Sequence, residues 1–319
     1  MNKLLIIRLS SIGDIVLTTP LIRCIKQQFQ RAEIHFLTKK QFEPILKSNP
    51  YIDKLWLYEG NFSELIPTLR HEKFDFIADL HRNFRSLFLR LMLGRPSATF
   101  TKLNFRKWLI VNFKWNLLPD VHIVDRYFKA VQKLGVKNDG QGLDYFISPA
   151  DEVVPSFPEY IAIVIGGKHN TKIFPASKVA EVIDRLRLPV ILLGGKEDYA
   201  RGEEILALIS KPAVNACGRY SLNQAASLVK QSSAVLTNDT GLMHIASAYG
   251  KKMVSVWGNT IPAFGMYPYL PAGSTGSYLA EVAGLSCRPC SKLGFRECPR
   301  HHFRCMLDIP TDDITAHLE

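Results

Sequence analysis

No apolar run in this 319-residue chain reaches the ~18 residues that a membrane-crossing helix needs, so no span is expected. The start, MNKLLIIRLSSIGD, lacks the long apolar core and small-residue cleavage site of a secretory signal, which predicts a cytoplasmic chain. Cysteine is scarce: six in a chain of this length do not read as a secreted disulfide framework. Neither GxxxxGK[ST] nor GxGxxG occurs, which excludes a P-loop and the usual dinucleotide fingerprint. No Asp-x-Asp pair is present, so no metal is implied to balance phosphates. Acid is missing from one long stretch. Between Asp79 and Asp120 there is none, while Arg82, Arg85, Arg90, Arg95, Lys102, Arg106, Lys107 and Lys114 lie inside it.

What remains is ordinary globular composition, 47% hydrophobic and 22% charged, which excludes a disordered or low-complexity chain. The net charge of +11 is uneven. Residues 1–150 carry 23 basic and 13 acidic side chains, whereas 151–319 carry 17 and 16. A field of this kind either attracts polyanions (nucleic acid, an anionic membrane surface, a phosphorylated glycolipid) or is a solvated face. Phe84, Phe88, Phe100, Phe105, Trp108, Phe113 and Trp115 are interleaved with those bases. They fit a segment lying in a membrane interface, a base-stacking surface, or simply core.

Strand-like runs alternate with amphipathic helical stretches throughout. Leu4–Leu9, Glu33–Thr38, Lys54–Tyr58 and Phe74–Leu80 stand in the first half. Tyr160–Ile165, Pro189–Leu193, Ala213–Cys217, Ala234–Thr237 and Met253–Trp257 stand in the second. Repeated βα units predict an α/β protein of two doubly wound Rossmann-like domains facing across a cleft. The proline-bearing stretch 147–159 reads as the linker, giving domains 1–150 and 151–319.

Ligands of such folds lie at the carboxyl ends of the strands, so the segments following them carry the chemistry. After the first strand comes Ser11-Ile12-Gly13-Asp14 at a helix start, where Asp14 is either a cap or a general base. After the Tyr160–Ile165 strand comes Gly166-Gly167-Lys168, then Lys172, a glycine loop with positive charge suited to a diphosphate. Glu197 follows Leu193-Gly194-Gly195 and either starts a helix or accepts sugar hydroxyls. Asp239, Thr240 and Gly241 stand at a helix N-terminus, where free N–H groups favour a phosphate or the pair simply caps. His244 lies one turn further on that helix, toward the same side or in the core.

In order along the chain, LSSIGDIVLTTPLIRCIK, KIFP, LGGKED, Tyr220-Ser221-Leu222 and LTNDTGLMHIASAYGKKMVSVWGNT resemble the bacterial ADP-heptose:lipopolysaccharide heptosyltransferase family. The resemblance covers nearly the whole chain. It implies an inverting glycosyltransferase of GT-B fold, with an acceptor-binding domain over 1–150 and a nucleotide-sugar domain over 151–319. It makes Asp14 the catalytic carboxylate, with Ser11 and Gly13 on the acceptor side. Lys172 becomes the diphosphate contact, Glu197 the acid near the donor, and Tyr220 the residue beside adenine. Gly167, Lys168, Asp239, Thr240, Gly241 and His244 complete the donor site. Gly167 and Lys168 depart from the small hydroxyl residues common at that point. The implied partners are an ADP-sugar, an anionic lipid A–core acceptor and the inner face of the cytoplasmic membrane, with no nucleic acid and no required cofactor.

Cys287, Cys290, Cys298 and Cys305 fall within nineteen residues and suit a structural zinc site, or are thiols without a role. Cys24 and Cys217 sit among apolar residues, as core. Two functions stay open: a glycosyltransferase building the lipopolysaccharide core, and a non-catalytic nucleotide-cleft protein that grips a polyanion through its basic half.

Overall fold

The computed structural model describes residues 2–319, which divide into two units. The first runs to Lys102 and resumes over Val121–Ser148; the second comprises Leu103–Asp120 and Pro149–Glu319. The acid-free window is therefore divided. Its later half, expected with the N-terminal domain, belongs with the C-terminal one.

In the first unit β1 (Lys3–Ile7), β2 (Glu33–Lys39), β3 (Lys54–Tyr58), β4 (Phe76–Asp79) and β5 (Ser97–Thr99) form a parallel sheet. Its order is β3-β2-β1-β4-β5. Leu4, Leu5, Ile6 and Ile7 are all buried, so β1 is a continuous apolar run and not an alternating one. A central parallel strand covered by helices on both faces must read that way. In the second unit β6 (Ile161–Val164), β7 (Val190–Leu193), β8 (Ala213–Asn215), β9 (Ala234–Asn238), β10 (Lys252–Trp257) and β11 (Ser277–Glu281) follow the order β11-β10-β9-β6-β7-β8. Each sheet reverses its direction of winding once, beside its first strand: between β1 and β4, and between β6 and β9. Those two switch points leave crevices beyond the strand ends.

Two strands escape the sequence pattern. β5 and β11 are edge strands with mostly half-buried residues, too weakly apolar to announce themselves. The basic window also differs from a plain solvated face. With no carboxylate inside the window, several of its cations turn to carbonyl oxygens and rings. Arg82 donates to Phe100 O at 2.8 Å, Lys114 to Pro289 O at 2.8 Å, and the buried Lys107 ammonium sits 5.2 Å from the centre of the Phe264 ring. Arg90 reaches back to Asp79 at 3.4 Å. Arg85, Arg95 and Arg106 remain exposed.

One buried charge cluster closes the first unit. Arg23, on the helix Thr19–Gln28, donates to Asp139 at 2.8 and 2.9 Å and to Gly142 O at 2.9 Å, and it pairs with Asp144. Arginine hydrogen bonds hold the Asp139 carboxyl down at about 2, against the partial burial that opposes them. A depressed carboxyl contributes stability above its unfolded value of about 3.9, and that stability is lost as pH falls through the folded value. Arg23→Met should therefore cost about 3–5 kcal/mol in urea unfolding at pH 7 and flatten the stability loss between about pH 4 and 2. A cost under about 1 kcal/mol would show that the cluster does not fasten the 139–144 segment.

Candidate active site

At the first switch point the chain leaves β1 through Arg8 and Ser10 and enters the short helix Ile12–Val16, whose N-cap is Ser11. Asp14 is the third residue of that helix and not the cap itself. One carboxylate oxygen accepts from Ser11 N at 3.2 Å and Ser11 Oγ at 2.7 Å, closing a capping box. The other meets the Arg8 guanidinium at 2.5 Å. Arg8 is buried, held by Ser10 O at 2.8 Å and by Leu80 O, and lies 5.8 Å from the Tyr127 ring centre. Burial pushes the Asp14 carboxyl up, but the Arg8 charge and the Ser11 hydrogen bonds together hold it below the usual range. Its side chain keeps 20% of its surface open. The result is a carboxylate ionised at neutral pH, capped, oriented and still reachable. Ser11 is exposed, and Gly13 is buried under it.

β4 supplies the other wall of this crevice. Asp79 is buried and accepts from His81 N, Arg82 N and Ser86 Oγ at 2.8–2.9 Å. That fixes the turn carrying His81. Burial, with the Arg8 and Lys102 charges, pushes the His81 imidazole down to about 4, so it is neutral at pH 7. Arg8, Asp79 and His81 escaped the sequence reading. Polar residues directly after an apolar strand were the available signal.

The second switch point gathers Gly167, Lys172, Asp239 and Thr240. Lys172 closes a 3-10 turn over Asn170–Lys172, and its ammonium lies 2.5 Å from Asp239 Oδ2, which also accepts from Thr260 Oγ1 at 3.1 Å. The preceding residue, Asn238, is buried and laces the site. It accepts from Phe174 N at 3.0 Å and donates to Gly166 O at 3.0 Å. Thr240 is the N-cap of the helix Gly241–Ala248, and its hydroxyl makes no hydrogen bond. Gly167 packs beside it, and a Cβ there would stand 3.0 Å from Ile173 and 3.9 Å from Thr240. His244 is buried on the inner side of the helix.

Glu197 lies in the 3-10 turn Lys196–Asp198 beyond β7, and Tyr220 on the loop beyond β8, at the same carboxyl edge. Asp198 is the buried acid of its pair, accepting from Gly195 N at 2.9 Å and Arg201 at 3.0 Å, which leaves Glu197 exposed. A Cβ on Gly166 would come within 2.3 Å of the Asp198 carboxylate, so that glycine is required by packing as much as by any ligand. Lys168 is exposed, and Tyr220 is half-buried against the second unit's core.

The cysteine loop packs against the second switch point. Cys287 Sγ lies 3.8 Å from His302 Nε2, and Cys305 is buried. Burial, with its neighbouring thiols, pushes Cys290 up to about 11. Among the described residues no three His, Cys, Asp or Glu side chains are placed to hold a metal ion. The loop buttresses the Lys172 turn, with Phe295 N donating to Thr171 Oγ1 at 2.8 Å. Arg288 donates to the carbonyls of Gly258, Trp257 and Thr260 at 2.6–3.2 Å, so it fixes the backbone of the residue that binds Asp239. Cys24 and Cys217 are buried as expected.

The model of glycosyltransferase family 9 (heptosyltransferase) matches residues 27–277. The chain belongs to this family. It is 25% identical to the lipooligosaccharide heptosyltransferase 2 of Haemophilus ducreyi over 99% of its own length and 98% of that protein's. The structure of Escherichia coli ADP-heptose lps heptosyltransferase II superposes with a TM-score of 0.74 at 22% identity, covering 99% of this chain and 97% of that one. Escherichia coli heptosyltransferase WaaC with ADP-2-deoxy-2-fluoro heptose shares the fold at a TM-score of 0.64 and 19% identity, over 88% and 94% of the two chains. The two-domain α/β architecture is thus the heptosyltransferase architecture, and the chain is a glycosyltransferase.

For a member of this family, the Lys172–Asp239 pair makes a specific expectation. Lys172→Ala should weaken ADP binding on the order of tenfold or more, since it removes a charged contact and leaves the Asp239 carboxylate bare. Asp239→Ala in the same background should recover part of that loss in isothermal titration, with a coupling of about 0.5–3 kcal/mol. Additive losses would separate the two residues functionally.

Proposed function

We propose that this heptosyltransferase-family chain transfers heptose, or a closely related sugar, from an ADP-sugar to the inner core of an anionic lipid A–core acceptor. Asp14 takes the proton of the acceptor hydroxyl as that oxygen attacks the anomeric carbon. The carbon–oxygen bond to the diphosphate breaks in the same step, the anomeric centre inverts, and ADP leaves. Arg8 keeps Asp14 ionised and therefore ready to accept a proton. It also lowers the carboxylate's basicity, so the transfer relies on a hydroxyl acidified as its bond to carbon forms.

Lys172, with the N–H groups opening the Gly241–Ala248 helix, stabilises the charge that develops on the leaving diphosphate. Thr240 Oγ1 offers a hydroxyl to the same group. Lys168 adds charge at the open side, Glu197 accepts from sugar or ribose hydroxyls, and Tyr220 flanks the adenine. The exposed Arg85 and Arg95 attract the phosphorylated acceptor. The enzyme works at the inner face of the cytoplasmic membrane, where such an acceptor resides.

The observation that carries this reading is the charge-held Asp14 at one switch point, in a family whose name is the reaction. In a non-catalytic polyanion binder that carboxylate would serve only as the counter-charge of Arg8 and as a helix cap, and neither role calls for its open surface. ADP release with a heptose-deficient lipid A–core acceptor tests the reading. Asp14→Asn removes the proton acceptor and also the charge that compensates Arg8, so it should cut turnover by about 10² or more while ADP affinity, which this reading assigns to the second unit, stays unchanged. Equal turnover would reduce Asp14 to its capping box.

A further inference from the structure

The helix Asn104–Phe113 turns the wrong side chains outward. Lys107, Leu109 and Ile110 are buried, while Phe105 is 70% exposed and Trp108 51%. The chain that follows continues the pattern, with Phe113 51% and Trp115 62% exposed, and Leu117 beside them. These rings satisfy one another instead of entering a core. Phe105 stacks on Trp108 with centres 6.1 Å apart, Trp108 meets Phe113 edge-on at 5.3 Å, and Phe113 lies 5.5 Å from Trp115. A soluble helix would place its polar residues on this face.

The segment is also fastened from behind. Lys114 donates to Cys287 O at 3.2 Å and Pro289 O at 2.8 Å, and Lys292 to Asn104 Oδ1 at 2.8 Å. The aromatic row is therefore held on a firm support. No acid occurs between Asp79 and Asp120, and Arg106 points into solvent on the helix itself, with Lys292 at its start. Rings on an exposed ridge with cations beside them suit the interface of an anionic bilayer, where aromatics settle at headgroup depth and bases meet phosphates.

We propose that residues 104–117 are the membrane-docking ridge of this protein, with Phe105, Trp108, Phe113 and Trp115 entering the interface of an anionic leaflet. The inference rests on the proposed function only in naming a lipid-borne acceptor; the ridge itself stands on exposure, ring contacts and charge. It differs from an electrostatic grip through the whole Arg82–Lys114 window, because Arg82, Arg90, Lys107 and Lys114 already serve contacts within their own units.

The test uses the full chain with vesicles of neutral phosphatidylcholine alone and with added phosphatidylglycerol. Of the four tryptophans, Trp56 and Trp257 are buried, so vesicle-dependent fluorescence reports on Trp108 and Trp115. Anionic vesicles should shift that emission to the blue, and brominated lipid should quench it. Trp108→Phe with Trp115→Phe should abolish the quenching but keep flotation, since the ridge stays apolar. Changing Phe105, Trp108, Phe113 and Trp115 together to Ser should cut flotation about tenfold or more with ADP affinity retained. Arg106→Glu should weaken binding to anionic vesicles roughly fivefold or more and leave neutral ones unaffected.

Flotation of the Ser variant equal to wild type, equal binding to neutral and anionic vesicles, or self-association without lipid binding would each overturn the proposal. So would binding to RNA in place of vesicles. Turnover on a detergent-solubilised acceptor separates the two ideas. If it persists without flotation, the ridge is wrong and the function stands; if flotation persists without turnover, the reverse holds.

Discussion

A single ion pair, Arg8 with Asp14, holds the first switch point together and carries the proposed chemistry. Arg8 directly follows the central strand of the first sheet, and its guanidinium is buried among backbone carbonyls and paired with the Asp14 carboxylate. A buried cation demands a compensating charge, and a buried carboxylate demands one too. Each therefore fixes the other's ionisation. Because Asp14 also closes the capping box on Ser11, the charge, the helix start and the strand end are settled together. Removing Asp14 would leave Arg8 uncompensated, so the carboxylate has a structural reason to stay as well as a chemical one.

The second unit solves a related problem by a chain of supports. Lys172 faces Asp239, Asp239 is bound by Thr260, and the Thr260 carbonyl is held by Arg288 on the cysteine loop. From its other side the same loop fastens the 103–120 segment through Lys114. One irregular loop thus supports both the Lys172 turn and the exposed aromatic row. This gives the cysteine-rich segment a role in positioning that does not depend on what its thiols bind. Cys298 illustrates the local order: burial pushes its thiol up, yet the N–H groups of Arg300, Phe303, His302 and His301 together hold it below the ordinary value.

Much of this was legible before any coordinates. The buried parallel strands wrote themselves as apolar runs, and residues just after them supplied Asp14, Lys172 and Asp239. The resemblance in SIGD and NDTGLMH joined them into one reaction. The edge strands β5 and β11 were not legible, since three to five half-buried residues carry too little pattern. Nor was the docking of 103–120 on the second unit, because chain order says nothing about which core a helix covers. The basic window misled for a related reason. Counting charges cannot reveal that Lys114 and Arg82 are spent on carbonyl oxygens, and Arg8 counted as surplus charge when it was half of a pair.

The proposed chemistry requires that Arg8 hold Asp14 ionised. The pH dependence of single-turnover transfer, measured in wild type and in Arg8→Gln with retained fold, tests this most directly. Wild type should keep its rate as pH falls into the ordinary carboxylate range, because the Arg8 charge, with the Ser11 hydrogen bonds, holds the Asp14 carboxyl below its ordinary value against the burial that raises it. In Arg8→Gln burial would act unopposed by that charge, and the acid limb should move to higher pH than in wild type. An acid limb at the same pH in both proteins would contradict the claim that this ion pair sets the state of the catalytic carboxylate.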